Sequence, residues 1–244
     1  LRLLIRDTLP TQGTIVVNDW DLVKLPQNKV PDLRRKIGVV FQDLKMLMDR
    51  TIKENILLPL EVSGVDHAMA SKKVDEILEQ VGILSHRDKF PIQLSGGELQ
   101  RAAIARALVF SPDIILADEP TGNLDTATSW EIVKLLQDIN KSGTTIVMAT
   151  HNTDIVNSLL KRIIALDKGR LIRDEKKHDA KGEKETPSTS SGQAEEKEVK
   201  KEDHKVEVKV DEEKKHEVHD KKEDKQHEKE VKSSDAKAME DKDK

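Results

Sequence analysis

Apolar residues recur along this chain with two different periods up to about residue 174, and then almost cease. Helical spacing runs from Glu54 to about Leu60, and from Ala70 to Val81 with Val74, Ile77, Leu78 and Val81 on one face. It returns from the Ser95 turn to about Phe110, and from Thr126 to about Lys141 through Ile132, Leu135, Leu136 and Ile139. Leu1, Leu4 and Ile5 share a helical face too, so a helix is expected from Leu1 to about Asp7, followed by a turn to Gly13. Short apolar or β-branched runs predict strands at Thr14–Val17, Ile37–Phe41, Ile114–Ala117 and Thr144–Thr150, the last one buried. A hairpin is expected over Arg162–Ile172, turning at Asp167-Lys168-Gly169. Gly82 and Gly143 suit helix ends, and Ser111-Pro112-Asp113 breaks the helix before it. The stretch between Phe41 and Ile114 therefore reads as an all-helical insert between two strands.

Composition separates the chain into two parts. The segment from Glu175 carries 19 lysines against 23 acidic residues and holds the whole formal charge of −4; the part before it is neutral. No broad cationic face for nucleic acid is indicated. With no aromatic residue and few apolar ones, 175–244 is expected to be a disordered Lys/Glu-rich tail. Its alternating Val206–Val210 scrap is too short to stand alone. His216 and His219 are spaced for a metal but lie in that tail, and His67 and His86 read as solvated surface residues. The chain has no cysteine, hence no disulfide and no thiolate metal site. No apolar run approaches the ~18 residues of a membrane span, and no signal-peptide pattern is present, so any membrane role is expected to come through a partner.

The chemistry concentrates between Leu94 and Asp125. Ser95-Gly96-Gly97 opens a helix, and a helix N-terminus with unpaired N–H groups favours phosphate. Two glycines let backbone approach a ligand closely, and the Ser95 hydroxyl suits an N-cap. The Ile114–Ala117 run ends in adjacent carboxylates, Asp118 and Glu119, which strand alternation points in different directions. One can face a metal ion and the other a water, the division of labour that nucleotide hydrolysis requires.

LSGGE with Gln100, then IILADEP, then Gly122-Asn123-Leu124-Asp125, together resemble the signature, Walker B and D-loop of ABC transporter ATP-binding domains. Val40-Phe41-Gln42-Asp43 resembles their Q-loop, and Thr150-His151 after TTIVMA their H-switch. Five motifs stand in the family's order. TLPTQGTIVVND, VPDLRRKIGVVFQD and DRTIKENI further resemble the cell-division branch of that family, the FtsE ATPases. Lipoprotein-release and macrolide-export ATPases share related text and are the alternative branches. A non-catalytic scaffold that binds division partners is a further alternative.

The resemblance implies an α/β P-loop NTPase fold with a core at 1–44 and 112–174 and a helical subdomain at about 45–111, the folded domain ending near Arg173. It implies ATP and Mg²⁺ as cofactors and a head-to-tail homodimer. Ser95, Gly96 and Gly97 of one subunit would close over ATP held by the other. Glu119 would polarise the attacking water, Asp118 and Gln42 would hold Mg²⁺, His151 would contact the γ-phosphate, and Asp125 would couple the two sites. The partner would be an integral-membrane permease of FtsX type, received in a groove beside Asp43–Thr51. The location would be peripheral, at the cytoplasmic face of the plasma membrane, and the output control of cell-wall hydrolysis. The family's phosphate loop, GxxGxGK[ST], and its adenine-stacking aromatic find no match in the 244 residues. The chain therefore reads as a partial sequence, and is expected to show no ATP turnover on its own.

Overall fold

The computed structural model describes residues 1–175 and 206–209. Its centre is a parallel sheet of order β3-β4-β5, made of Ile37–Val40, Ile114–Asp118 and Thr145–Ala149. Ile37 stands beside Ile114 and Val40 beside Ala117; Ile114 stands beside Thr145 and Asp118 beside Ala149. All three strands thus run in register and finish at the same edge.

β4 is buried on both faces, and its alternation feeds two cores. Ile115 and Ala117 join the larger cluster, with α2 (Ile52–Val62), α3 (His67–Gln80), α4 (Gly96–Leu108) and α5 (Thr126–Lys141). Ile114 and Leu116 join the smaller one, with β1 (Thr14–Val17) and α1 (Val30–Arg35). Such two-sided burial is why this strand reads as a continuous apolar run.

α2 to α4 lie between β3 and β4, forming the helical insert. α2 starts in a capping box in which Thr51 and Glu54 satisfy each other's backbone N–H groups; α3 starts at Asp66, whose carboxylate accepts from Ala68 and Met69. Gly82 follows α3 with φ 76°, the left-handed value a helix stop needs. Beyond β5 come α6 (Thr153–Ser158) and an antiparallel hairpin, β6 (Ile163–Asp167) with β7 (Arg170–Glu175), which turns where the sequence places it and continues past Arg173.

Three expectations are corrected. Leu1–Asp7 forms successive turns, not a helix: Leu4 and Arg6 bond back three residues, and Arg6 at φ 50° ends the run. β5 is half-buried throughout: like β3 it is an edge of its sheet among the described residues, but β3 is covered by α4 where Gly38 meets Ala107. Phe41 is exposed and lies beyond β3. Within the expected tail, Val206–Lys209, part of the alternating segment too short to stand alone, pairs as a strand, β8, antiparallel to β1 on the side opposite β2 (Trp20–Asp21), with Val208 at the register position of Ile15. A sheet edge supplies the backbone partners that an isolated scrap lacks. The rest of the expected tail, 176–205 and 210–244 with His216 and His219, lies outside the described residues.

β3 and α4 approach closely at Gly38, where a Cβ would overlap the Ala107 carbonyl oxygen, a backbone atom that cannot swing aside. Gly38→Ala is expected to cost about 1–3 kcal/mol of stability through overpacking, read as a lower denaturant midpoint at unchanged slope.

Candidate active site

The parallel register carries four of the predicted residues to one edge of the sheet. Gln42 follows β3 by two residues, Asp118 ends β4, Glu119 is next to it, and His151 follows β5 by two. Glu119 sits at φ 46°, an uncommon conformation for a residue with a side chain, and its N–H donates to the Ala149 carbonyl at 2.9 Å. The chain thereby turns out of the sheet at Glu119 and aims its carboxylate at the end of β5. There Oε1 accepts from the His151 backbone N–H at 2.9 Å and meets His151 Nδ1 at 2.7 Å. Oε2 accepts from Thr150 Oγ1 at 3.2 Å.

The carboxylate is 18% exposed and the imidazole 84% exposed, so the pair has one sheltered and one open partner. Contact with an ionised carboxylate at 2.7 Å requires the proton on Nδ1. Nε2 is then the free position, presented to solvent. Asp118 is half-buried and Gln42 is exposed at the same edge.

The second group gathers at the start of α4. Ser95 is its N-cap, in a capping box with Glu98: Ser95 N–H and Oγ both donate to Glu98 Oε2, at 2.7 and 2.8 Å. These bonds, the backbone one foremost, hold Glu98 below the ordinary carboxylate range. His86 Nε2 lies 3.3 Å from Glu98 Oε1, and the His86 side chain is only 20% exposed. The expectation of a solvated His86 is therefore corrected: it backs the capping box. His67 is 74% exposed, beside Glu61.

The glycines have a packing reason that the sequence does not reveal. A Cβ on Gly97 would lie 2.5 Å from Thr128 Cγ2, and one on Gly96 3.1 Å from Leu124 Cδ2. The start of α4 therefore rests on the start of α5. Asp125 caps α5, accepting from Thr128 Oγ1 at 2.6 Å and Thr128 N–H at 3.0 Å, and these bonds hold its pKa below the usual value. Gly122 bonds back to the Glu119 carbonyl at 3.1 Å, so a single short turn joins the acid to this contact.

Within one chain, then, the structure pairs Glu119 with His151, sets Gln42 and Asp118 on their edge, and packs Gly96 and Gly97 beside Asp125. It gives Ser95 to Glu98. Sequence reasoning missed His86, Asn55 and Arg106 as structural partners. The T-x-x-E and S-x-x-E spacings at Thr51–Glu54 and Ser95–Glu98 would have announced both capping boxes.

The profile of the ABC transporter family matches residues 1–122. Among known proteins, the cell division ATP-binding protein FtsE of Bacillus subtilis is 49% identical over 175 residues, covering 72% of this chain and 77% of that protein. The chain belongs to the ABC transporter ATP-binding family.

Within the family it is also 50% identical over 177 residues to FtsE of Streptococcus pneumoniae, covering 72% of this chain and 77% of that one. FtsE of Escherichia coli is 43% identical over 171 residues, with 70% and 77% covered. The resemblance to the FtsE branch read from the motifs is thus supported across whole segments. Among solved structures, the ATP-binding cassette MJ0796, dimeric and bound to ADP and Pi, superposes with a TM-score of 0.65 at 34% identity, covering 73% of this chain and 79% of that one. The ABC cassette cbiO1 of Clostridium perfringens gives 0.66 at 29% identity, covering 72% and 70%. The α/β ABC ATP-binding fold follows.

The depressed Glu98 pKa gives the sign of a pH effect. Its stabilisation is complete above the ordinary carboxylate range and is lost as pH falls through the lower folded-state value. Ser95→Ala is expected to cost about 1 kcal/mol near neutrality, and the gap to wild type should narrow in acid, as measured by urea unfolding at a series of pH values.

Proposed function

We propose that this ABC-family chain is the ATP-binding and hydrolysing subunit of an FtsE–FtsX type complex in cell division, which passes the energy of hydrolysis to a membrane permease that controls cell-wall hydrolysis. The observation that carries the catalytic reading is Glu119, sheltered at the end of a buried strand and bonded to His151. Its FtsE relatives support the cell-division role.

The donor set fits a magnesium–nucleotide pair better than a free metal. Among the described residues no group of three or more His, Asp or Glu is arranged to hold an ion, whereas Asp118 and Gln42 share one edge of the sheet. Mg²⁺ favours one or two carboxylates completed by phosphate oxygens. When bound, it would neutralise charge on the transferred phosphoryl group.

The rest is the work of the chain. Glu119 orients the attacking water and draws on its proton. His151, with its Nδ1 proton committed to Glu119, offers the Nε2 lone pair to that water, beside the γ-phosphate. Ser95 and the amides opening α4 cap the triphosphate held by a second copy, a head-to-tail homodimer supported by the dimeric MJ0796 cassette. Asp125 lies at the base of that cap and couples the two sites. No helix among the described residues is long and apolar enough to cross a membrane. In this proposal the subunit meets the cytoplasmic face of the membrane through the permease.

In the complete product of the gene, Glu119→Gln is expected to lower ATP turnover by at least ~10²-fold while leaving MgATP binding in place. Steady-state turnover and equilibrium binding of a fluorescent ATP analogue check this. Wild-type turnover in the variant would overturn the assignment.

A further inference from the structure

Arg106 stands in α4, three turns beyond Ser95, and reaches across to the segment that follows Gln42. Nη1 donates to the Lys45 carbonyl at 2.7 Å, and Nη2 donates to the Leu44 carbonyl. Both acceptors lie in left-handed backbone, at φ 56° for Leu44 and 51° for Lys45, which leucine and lysine disfavour. Burial lowers the Arg106 pKa from its ordinary value, and two carbonyl dipoles are the partners recorded for its charge.

The other end of the same loop has a second anchor. Asn55 of α2 is 2% exposed; its Oδ1 accepts from Leu47 N–H at 2.7 Å. Its Nδ2 donates to the carbonyls of Leu47, Arg50 and Thr51 at 2.9, 3.2 and 2.9 Å. Residues 44–51 are thus bound to the helical insert at both ends. Val40, four residues before Leu44, is fully buried and belongs to the sheet. Phe41, Gln42 and Asp43 join these two bodies and are exposed.

We propose that Arg106 is a positioning residue for the reaction: by holding the Leu44 and Lys45 carbonyls it fixes the loop after Gln42 against α4, and with it the place of Gln42 at the sheet edge. The reaction half of this inference rests on the function proposed above; the mechanical half does not.

The test has two arms. Hydrogen exchange reads the Leu44 and Lys45 amides, which bond to the Phe41 and Asp43 carbonyls at 3.0 and 2.6 Å in the turn that Arg106 holds. Arg106→Met keeps an apolar stem and removes both donors. It should speed exchange at these two amides by ~10-fold or more while leaving the amides of α4 unchanged. In the complete gene product the same variant should lower kcat about 10-fold with KM for MgATP within about twofold, and Arg106→Lys should recover part of both effects. Unchanged exchange at Leu44 and Lys45, or exchange accelerated along all of α4, would overturn the clamp. Unchanged kcat with a loosened loop would overturn the positioning role. Should Arg106→Met fail to fold, Arg106→Lys against Arg106→Gln carries the same comparison. The exchange arm needs no nucleotide, so a failure of the catalytic reading, seen with Glu119→Gln, remains distinguishable from a failure of the clamp.

Discussion

The parallel register of β3, β4 and β5 is the constraint on which the site depends. Because Val40, Ala117 and Met148 lie abreast, the residues that follow each strand emerge at one edge. A shift of one residue in β4 would exchange its two buried faces and send Ile115 to the core that now receives Ile114. The two hydrophobic clusters on either side forbid that shift, since each is filled by the residues that alternation assigns to it. The geometry at the edge is therefore inherited from packing in the middle.

α4 is the second member of the arrangement, and it is located by close approaches near both its ends. Near its C-terminus Ala107 lies against Gly38 of β3; at its N-terminus Gly96 and Gly97 lie against Leu124 and Thr128. Neither contact leaves room for a methyl group of its own. A helix seated this tightly moves as a unit, because packed surfaces have few intermediate positions. One end of that unit meets the turn that leads from Glu119 to Asp125, and the other carries Arg106 to the loop behind Gln42. Two segments that flank the candidate site are thus in mechanical contact with one helix.

The sequence made the long periodic elements readable. α5 begins at Thr126 and ends at Lys141, as its apolar spacing requires, and the runs behind β3 and β4 lie within a residue of their predicted ends. What periodicity left unread has physical causes. The first residues show helical spacing but a left-handed Arg6, which no periodicity encodes. β8 depended on a partner almost two hundred residues away, beyond the reach of any local pattern. At the site, motif order picked out Gln42, Ser95, Asp118, Glu119 and His151, yet it could not show that Ser95 serves Glu98 or that His86 stands behind it. Glycine was the most ambiguous residue. Gly97, which permits approach to a ligand, is also demanded by Thr128 on the neighbouring helix.

The pairing of Glu119 with His151 bears directly on how such a site is kept quiet. The Glu119 oxygens accept from a backbone N–H, an imidazole and a hydroxyl, which leaves one of about four acceptor positions for a water. The His151 ring, at 84% exposure, is the most open of these donors. Were the ring to swing outward, Oε1 would keep its bond from the His151 backbone N–H, so the carboxylate would stay aimed while one acceptor position opened. The sheet edge thus fixes the carboxylate through the backbone, and the imidazole is its exposed, replaceable partner.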